Sequence, residues 1–320
     1  MRKNIVLIGA TPLQFFLAQE LEKTLATDVQ FNVLWLIDDD NFTLPTQKLF
    51  NFTKAKFLNV REKFENIKII KTEVRSINLK QKRINTLRGP LGFEYLVIDQ
   101  YQHINKNSLK EIEQQINRIV LAVKASVKLK QPKTVLINCS DNSLAMAQLA
   151  LQISSHIRSG AAEVMRFIKI STQATEPLRK FLVRNHVLLD SEADLPGITI
   201  KLPKAMVALK EVKGLMLDEA GYAVIDGFFR PKEINGVFIL NGRKRTLLNS
   251  WRSQRSLARL VYRNLIKTIE GERLNYIQFV PITILSGVND SIAVIENDLH
   301  GTWKVRGAKL LENKLIKKLL

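Results

Sequence analysis

Two kinds of apolar pattern alternate along the first forty positions. Ile5, Val6, Leu7 and Ile8 form an unbroken run that ends in Gly9-Ala10-Thr11-Pro12-Leu13-Gln14. After Phe15, Leu17, Leu21 and Leu25 recur at four-residue helical steps, and a second run, Val33 to Ile37, closes on Asp38. Unbroken short runs predict strands buried on both faces, and three- to four-residue steps predict an amphipathic helix. The segment from Asn4 to Asp38 therefore predicts a strand, a helix and a parallel strand.

Asp39 to Pro45 reads as a loop. Ile67 to Ile70, Val74 to Leu79 and Arg83 to Leu87 are short strand-like runs separated by polar residues and predict a meander. Phe93 to Ile98 is a further strand, followed by Asp99-Gln100-Tyr101. Helical spacing returns from Ser108 to Val127 and stops before Pro132. The opening pattern then recurs. Thr134 to Ile137 predicts a strand, Asn138 to Ser143 a polar turn, Leu144 to Ile157 a helix and Val164 to Ile170 a strand. Leu178 to Val183 predicts a short helix, and Val187 to Leu209 is strand-like without clear period. Gly214 to Asp226 reads as strand, turn, strand, and Phe229-Arg230-Pro231 leads on to Val237-Phe238-Ile239-Leu240-Asn241-Gly242.

A strand, small-residue turn, helix and strand closing on an acid is the layout of a dinucleotide-binding unit. Its fingerprint needs a second glycine so that backbone approaches the pyrophosphate, and a third for close helix–strand packing. In the first unit Gly9 is present, while Thr11 and Gln14 stand at the other two positions. In the second unit Asn138, Ser140 and Ser143 replace all three, and Lys169 stands where an acid would meet the ribose. The topology is written twice in the chain, but the phosphate loops are altered in both copies.

The chain has 320 residues, 46% of them hydrophobic, enough for one large core or two ordinary domains. No signal peptide or membrane-length apolar run is apparent, and Cys139 is the single cysteine, so no intrachain disulfide or cysteine-pair redox centre is available. The expected location is cytoplasmic, with peripheral attachment to the inner face of the membrane as the variant. His103, His156, His186 and His300 lack metal-ligand spacing, and Asp38-Asp39-Asp40 reads as a solvated loop, so neither a metal site nor a side-chain catalyst is expected. Phe15, Phe16, Trp35, Phe228, Phe229 and Phe238 sit in apolar segments and are expected in the core.

Charge adds a second theme. With 49 basic and 30 acidic residues, the formal net charge is +19. Arg252, Arg255, Arg259, Arg263 and Lys267 fall on one helical stripe, opposite Leu248, Trp251, Ala258, Val261, Leu265 and Ile269. The stripe reads first as a solvated helix face, and second as a surface for anionic lipid, an acidic partner or nucleic acid. Trp303 to Leu320 is a basic amphipathic segment with the composition of an interfacial helix, which equally suits packing on the body or on a second subunit.

In order and wording the chain resembles the two-dinucleotide flavoprotein family of pyridine-nucleotide-dependent oxidoreductases, and most of all type II NADH dehydrogenases. The resemblance rests on Asn4 to Leu21, Leu36-Ile37-Asp38, Tyr95 to Ile98, Val135 to Ala150 and Leu217 to Gly242, with Arg259 to Gly271, Gln278-Phe279 and Ala293-Val294 following in register. It implies an α/β fold of two Rossmann-like (FAD/NAD(P)-binding) domains, the second inserted in the first, plus a small C-terminal region. The implied divisions are 1–107 and 214–275 for the FAD-type domain, 108–213 for the NAD(P)-type domain, and 276–320 for the C-terminal strands and helix.

Carried over by position, the resemblance implies cofactor contacts at Gly9, Thr11, Asp38, Asn241 and Gly242. Asp38 corresponds to the acid on the adenosine ribose, and Asn241-Gly242 to the Gly-Asp pair beside the flavin, without its carboxylate. The Ala-Thr-Gly after the Tyr-Leu-Val strand falls on Asp99-Gln100-Tyr101, and its glycine is also missing. FAD remains compatible with this set, and NAD(P)H is disfavoured. The leading expectation is a divergent relative acting as a non-catalytic binding or regulatory subunit, as a homodimer or a heteromer with an active relative. Two alternatives stay open: an active FAD-dependent NAD(P)H oxidoreductase passing reducing equivalents to a quinone or other acceptor, and a basic nucleic-acid-binding protein.

Overall fold

The computed structural model describes residues 3–26, 31–37, 41–42, 58–60, 63–99, 133–137, 165–170, 176–185, 187–189, 212–219, 223–240, 251–277, 282–286, 292–296 and 299–301, with Gln114, Arg118, Leu121, Ala147, Ala150, Leu151 and Ser154. Strand β1 (Lys3–Ile8), helix α1 (Pro12–Leu25) and β2 (Phe31–Ile37) open the chain. A short pair, β3 (Asn41–Phe42) and β4 (Leu58–Asn59), precedes β5 (Lys68–Lys71). Then come β6 (Val74–Asn78), β7 (Arg83–Thr86), β8 (Gly89–Gly92) and β9 (Tyr95–Ile98). The second unit holds β10 (Lys133–Ile137), β11 (Met165–Ile170), α2 (Glu176–Arg184) and β12 (Val187–Leu189). The remainder is β13 (Val212–Lys213), β14 (Val237–Ile239), α3 (Trp251–Glu270) and the hairpin strands β15 (Ile282–Ser286), β16 (Ile292–Glu296) and β17 (Leu299–Gly301).

The main sheet is parallel throughout, in the order β14-β9-β1-β2-β5. Counting its strands along the chain gives 3-2-1-4-5, the first five strands of the doubly wound dinucleotide-binding order 3-2-1-4-5-6. The strand order reverses beside β1, so the crevice outside the ends of β1 and β9 is the topological switch point, where such folds bind ligands. A second parallel sheet, β10-β11-β12, lies in the chain between β9 and β14, so the second Rossmann-like unit is inserted in the first. Ala147, Ala150, Leu151 and Ser154 are helical and buried, where the sequence predicts the helix joining β10 to β11.

The inner strands of the main sheet, with β14, are buried on both faces, which is why they read as apolar runs, whereas the edge strand β5 has exposed lysines at both ends. One face carries Ile5, Leu7, Trp35, Val97 and Phe238, packed on Phe15, Phe16, Leu17 and Leu21 of α1 and on Leu257, Val261 and Leu265 of α3. The other carries Val6, Leu36, Leu96 and Ile239 against Ile77 and Ile84 of the four-stranded sheet β13-β6-β7-β8 and against Phe93, which follows β8. Two differences from the sequence reading have local causes. The run beginning at Ile67 is not part of the meander: β5 pairs with β2 in the main sheet, and Gly89–Gly92 supplies the third meander strand as β8. Phe228 is half-buried rather than in the core. Asp226 Oδ1 accepts from the backbone N–H of both Phe228 (2.8 Å) and Arg230 (2.9 Å), and this turn sends Phe229 inward and leaves Phe228 outside beside Tyr276.

Candidate functional site

The site is the turn between β1 and α1, where it faces the end of β9. Gly9 has φ +118, a conformation that favours glycine, and a side chain there would begin 3.1 Å from the carbonyl oxygen of Asp99. Trp35 of β2 holds the turn from the opposite side by donating from Nε1 to the Gly9 carbonyl at 2.9 Å. Gly9 N–H in turn donates to Leu36 O at 3.1 Å.

Thr11 is the N-cap of α1, with φ −128 and ψ 154, and Pro12 takes the first helical position, where its missing N–H is harmless. Thr11 Oγ1 accepts from the Gln14 backbone N–H at 3.2 Å and donates its own proton to Asp99 Oδ2. A single hydroxyl thus links the first turn of the helix to a carboxylate at the end of β9. Thr11 and Asp99 are both buried.

Gln14 completes the arrangement. Its Nε2 donates to Ile8 O at 3.0 Å and Val97 O at 2.9 Å, so the side chain bridges β1 and β9 at the switch point. Two carbonyl acceptors fix which end of the amide faces them. The other end, Oε1, is buried without a hydrogen-bond partner. That leftover group is an acceptor, so it has nothing to offer a phosphate oxygen.

These residues do not fit a dinucleotide pyrophosphate in the manner the fingerprint requires. The backbone approach at position 11 is closed by a capping side chain, the third glycine position holds a fully buried glutamine, and a carboxylate lies at the helix end that would receive the phosphates. Thus Gly9 and Thr11 come together with Gln14, Trp35 and Asp99. Asp38, Asn241 and Gly242 lie outside the described residues, as do Asn138, Cys139, Ser140, Ser143 and the segment from Trp303. Lys169 stands on β11 opposite Leu136 and Leu188. Asp99 as a site residue, and Trp35 as a support for the loop, were missed from sequence. The signal for Asp99 was an acid directly after a fully apolar strand.

The basic stripe of α3 is only partly open. Arg259 Nε donates to Glu20 Oε1 of α1 at 3.1 Å, and Lys267 Nζ donates to Arg273 O (3.3 Å) and Asn275 Oδ1 (3.2 Å). Burial pushes the Glu20 carboxyl up, but hydrogen bonds from Lys23 and Arg259 outweigh it and hold the group below its usual value. Opposite the stripe, Ala258, Val261, Leu265 and Ile269 are buried as expected. No group of three or more His, Cys, Asp or Glu side chains that could hold a metal occurs among the described residues. No helix among them is long and apolar enough to cross a membrane.

The strand order, the inserted second parallel sheet and the placement of the glycine turn define the class: this is the fold of the two-dinucleotide-binding FAD/NAD(P)-dependent oxidoreductases. The particular proteins that share it are distant in sequence. The sulfide:quinone oxidoreductase of the hyperthermophilic bacterium Aquifex aeolicus is 12% identical, with a TM-score of 0.70 over 99% of this chain and 91% of that one. A chain of the Tetrahymena thermophila mitochondrial ATP synthase is 10% identical, with a TM-score of 0.63 over 99% and 93%. The water-forming NADH oxidase of Lactobacillus brevis is 10% identical, with a TM-score of 0.56 over 96% and 77%. No protein-family model matches the chain, and no curated protein matches its sequence.

Proposed function

We propose that this chain is a non-catalytic binding or regulatory subunit built on the oxidoreductase fold, most like a type II NADH dehydrogenase whose dinucleotide loops have been replaced. The observation that carries this reading is the Thr11, Gln14 and Asp99 cluster at the switch point, which occupies the approach a pyrophosphate needs. Changes in the second unit, at Asn138, Ser140 and Ser143, point the same way. The partners that suit the reading are a second copy of the chain or an active relative. The basic segment from Trp303 to Leu320 is the proposed contact with an anionic membrane surface, and loss of liposome pelleting on its removal is the expected result.

The test is the visible absorption spectrum of the natively purified protein, followed by FAD titration of colourless material. A colourless protein that takes up no FAD is the expected result. Flavin bands near stoichiometric occupancy would overturn it and favour the second reading, an active FAD-dependent oxidoreductase. The retained left-handed Gly9 is the observation that favours that second reading. In that case the flavin would supply the hydride chemistry, and assays of NADH oxidation with quinones would follow.

A further inference from the structure

We infer that the buried Asp99 carboxylate takes the place of a bound phosphate at the start of α1, so that this domain carries its own anion. The inference rests on the functional reading above only in taking the switch point as closed to a dinucleotide.

A helix N-terminus presents unpaired N–H groups and a positive partial charge, and a buried one needs an anion, an acceptor or water. The first turn of α1 is buried from Thr11 through Phe16, so bulk water does not meet this need. Its own sequence does not meet it either, since no acidic residue lies in the first turn. Pro12 removes one donor, and Thr11 Oγ1 accepts the Gln14 N–H. That hydroxyl then donates to Asp99 Oδ2, from a residue 88 positions away. A hydroxyl polarised by an N–H at the positive end of a helix is a stronger donor to a carboxylate, so the links reinforce one another.

The converse also holds. Burial of a carboxylate is costly unless it is hydrogen-bonded and set in a favourable field, and the helix end supplies both. Asp99 is 5% exposed and directly follows the strand residues that β1 and β14 clasp. Its backbone N–H donates to Ile8 O at 3.0 Å, which fixes the residue against the Gly9 turn. An anion delivered by the neighbouring strand thus sits where an oxidoreductase of this fold would receive one from solution. One consequence follows: removing the carboxylate leaves a helix end that attracts an anion.

The experiment uses the full chain, with Asp99→Gly, Asp99→Asn and the unaltered protein melted in inorganic pyrophosphate and in sodium chloride of equal ionic strength. The unaltered protein is expected to show only the general shift that pyrophosphate gives a basic chain, and that shift is the baseline. Asp99→Gly is expected to melt roughly 2–4 °C lower in chloride and to gain more from pyrophosphate than the unaltered protein does. Asp99→Asn keeps the shape and loses the charge, so it is expected to melt lower in both salts without recovery.

Either of two results would overturn the inference: Asp99→Asn melts with the unaltered protein, or pyrophosphate raises the melting temperature of Asp99→Gly no more than that of the unaltered protein. Should Asp99→Gly fail to fold in chloride, folding restored by pyrophosphate in circular dichroism supports the inference and its absence opposes it. Flavin at near-stoichiometric occupancy would sink the functional reading and, by showing the switch point open, the inference with it. A colourless protein without anion recovery in Asp99→Gly sinks the inference and leaves the functional reading intact.

Discussion

Gln14 Nε2 donates a 2.9 Å hydrogen bond to Val97 O, reaching from the first turn of α1 to the adjacent strand β9. A second bond from the same nitrogen meets Ile8 O at 3.0 Å, so one amide pins two neighbouring strands at the place where the sheet order reverses. Gln14→Leu keeps most of the volume and removes both bonds. The expected cost is about 1–3 kcal/mol, read as a lower urea midpoint with an unchanged slope.

Trp35→Phe tests the support on the other side of the turn. It deletes the bond from Nε1 to Gly9 O and part of a fully buried ring that packs edge-on against Phe64. A loss of roughly 2–4 kcal/mol is expected from cavity and hydrogen bond together. Denaturant unfolding of the two proteins side by side provides the measurement.

Gly236 admits β14 to the main sheet. It has φ +79, and a side chain would begin 2.8 Å from Glu94 O, a backbone atom that cannot swing away. Its carbonyl accepts from Leu96 N–H at 2.8 Å, just ahead of the β14–β9 ladder. Gly236→Ala is expected to cost about 1–3 kcal/mol from the dihedral alone, with the clash added. Amide exchange should quicken first in Val237 to Ile239.

Stability should depend on Glu20 with a definite sign. Its folded carboxyl lies below the usual value of 4.5, so its contribution is complete above that pH and is lost as pH falls through the folded value. Arg259 is about half exposed, so water screens the pair and the expected contribution is only ~0.5–1 kcal/mol at pH 7. Glu20→Gln should therefore melt lower than the unaltered protein at pH 7, and the two should converge as pH drops below 4.5.

Much of the architecture was legible in the sequence because parallel strands buried on both faces are continuous apolar runs and α3 buries one stripe, whereas α1 is buried all round from Pro12 to Ala18. Ala258, Val261, Leu265 and Ile269 were placed inside by period alone, and they are inside. The placement of β5 was not legible. Lys68–Lys71 has polar ends and two central isoleucines, a pattern equally suited to a meander or to a sheet edge. Only its pairing with β2 separates these. The half-buried position of Phe228 was hidden for a similar reason, since a turn capped by Asp226 overrides the apolar character of two adjacent phenylalanines.

At the site the division is sharper. The sequence by itself determined the glycine turn, the helix that follows it and the presence of Thr11 and Gln14 where glycines would admit a phosphate, because these are relations among neighbours in the chain. Only the tertiary structure decided what Thr11 and Gln14 do. Thr11 meets Asp99 across 88 positions and Gln14 meets Val97 across 83, and both contacts exist because sheet pairing sets β9 beside β1. Local spacing fixes which residues share an element, whereas the order of strands fixes which distant side chains share a hydrogen bond.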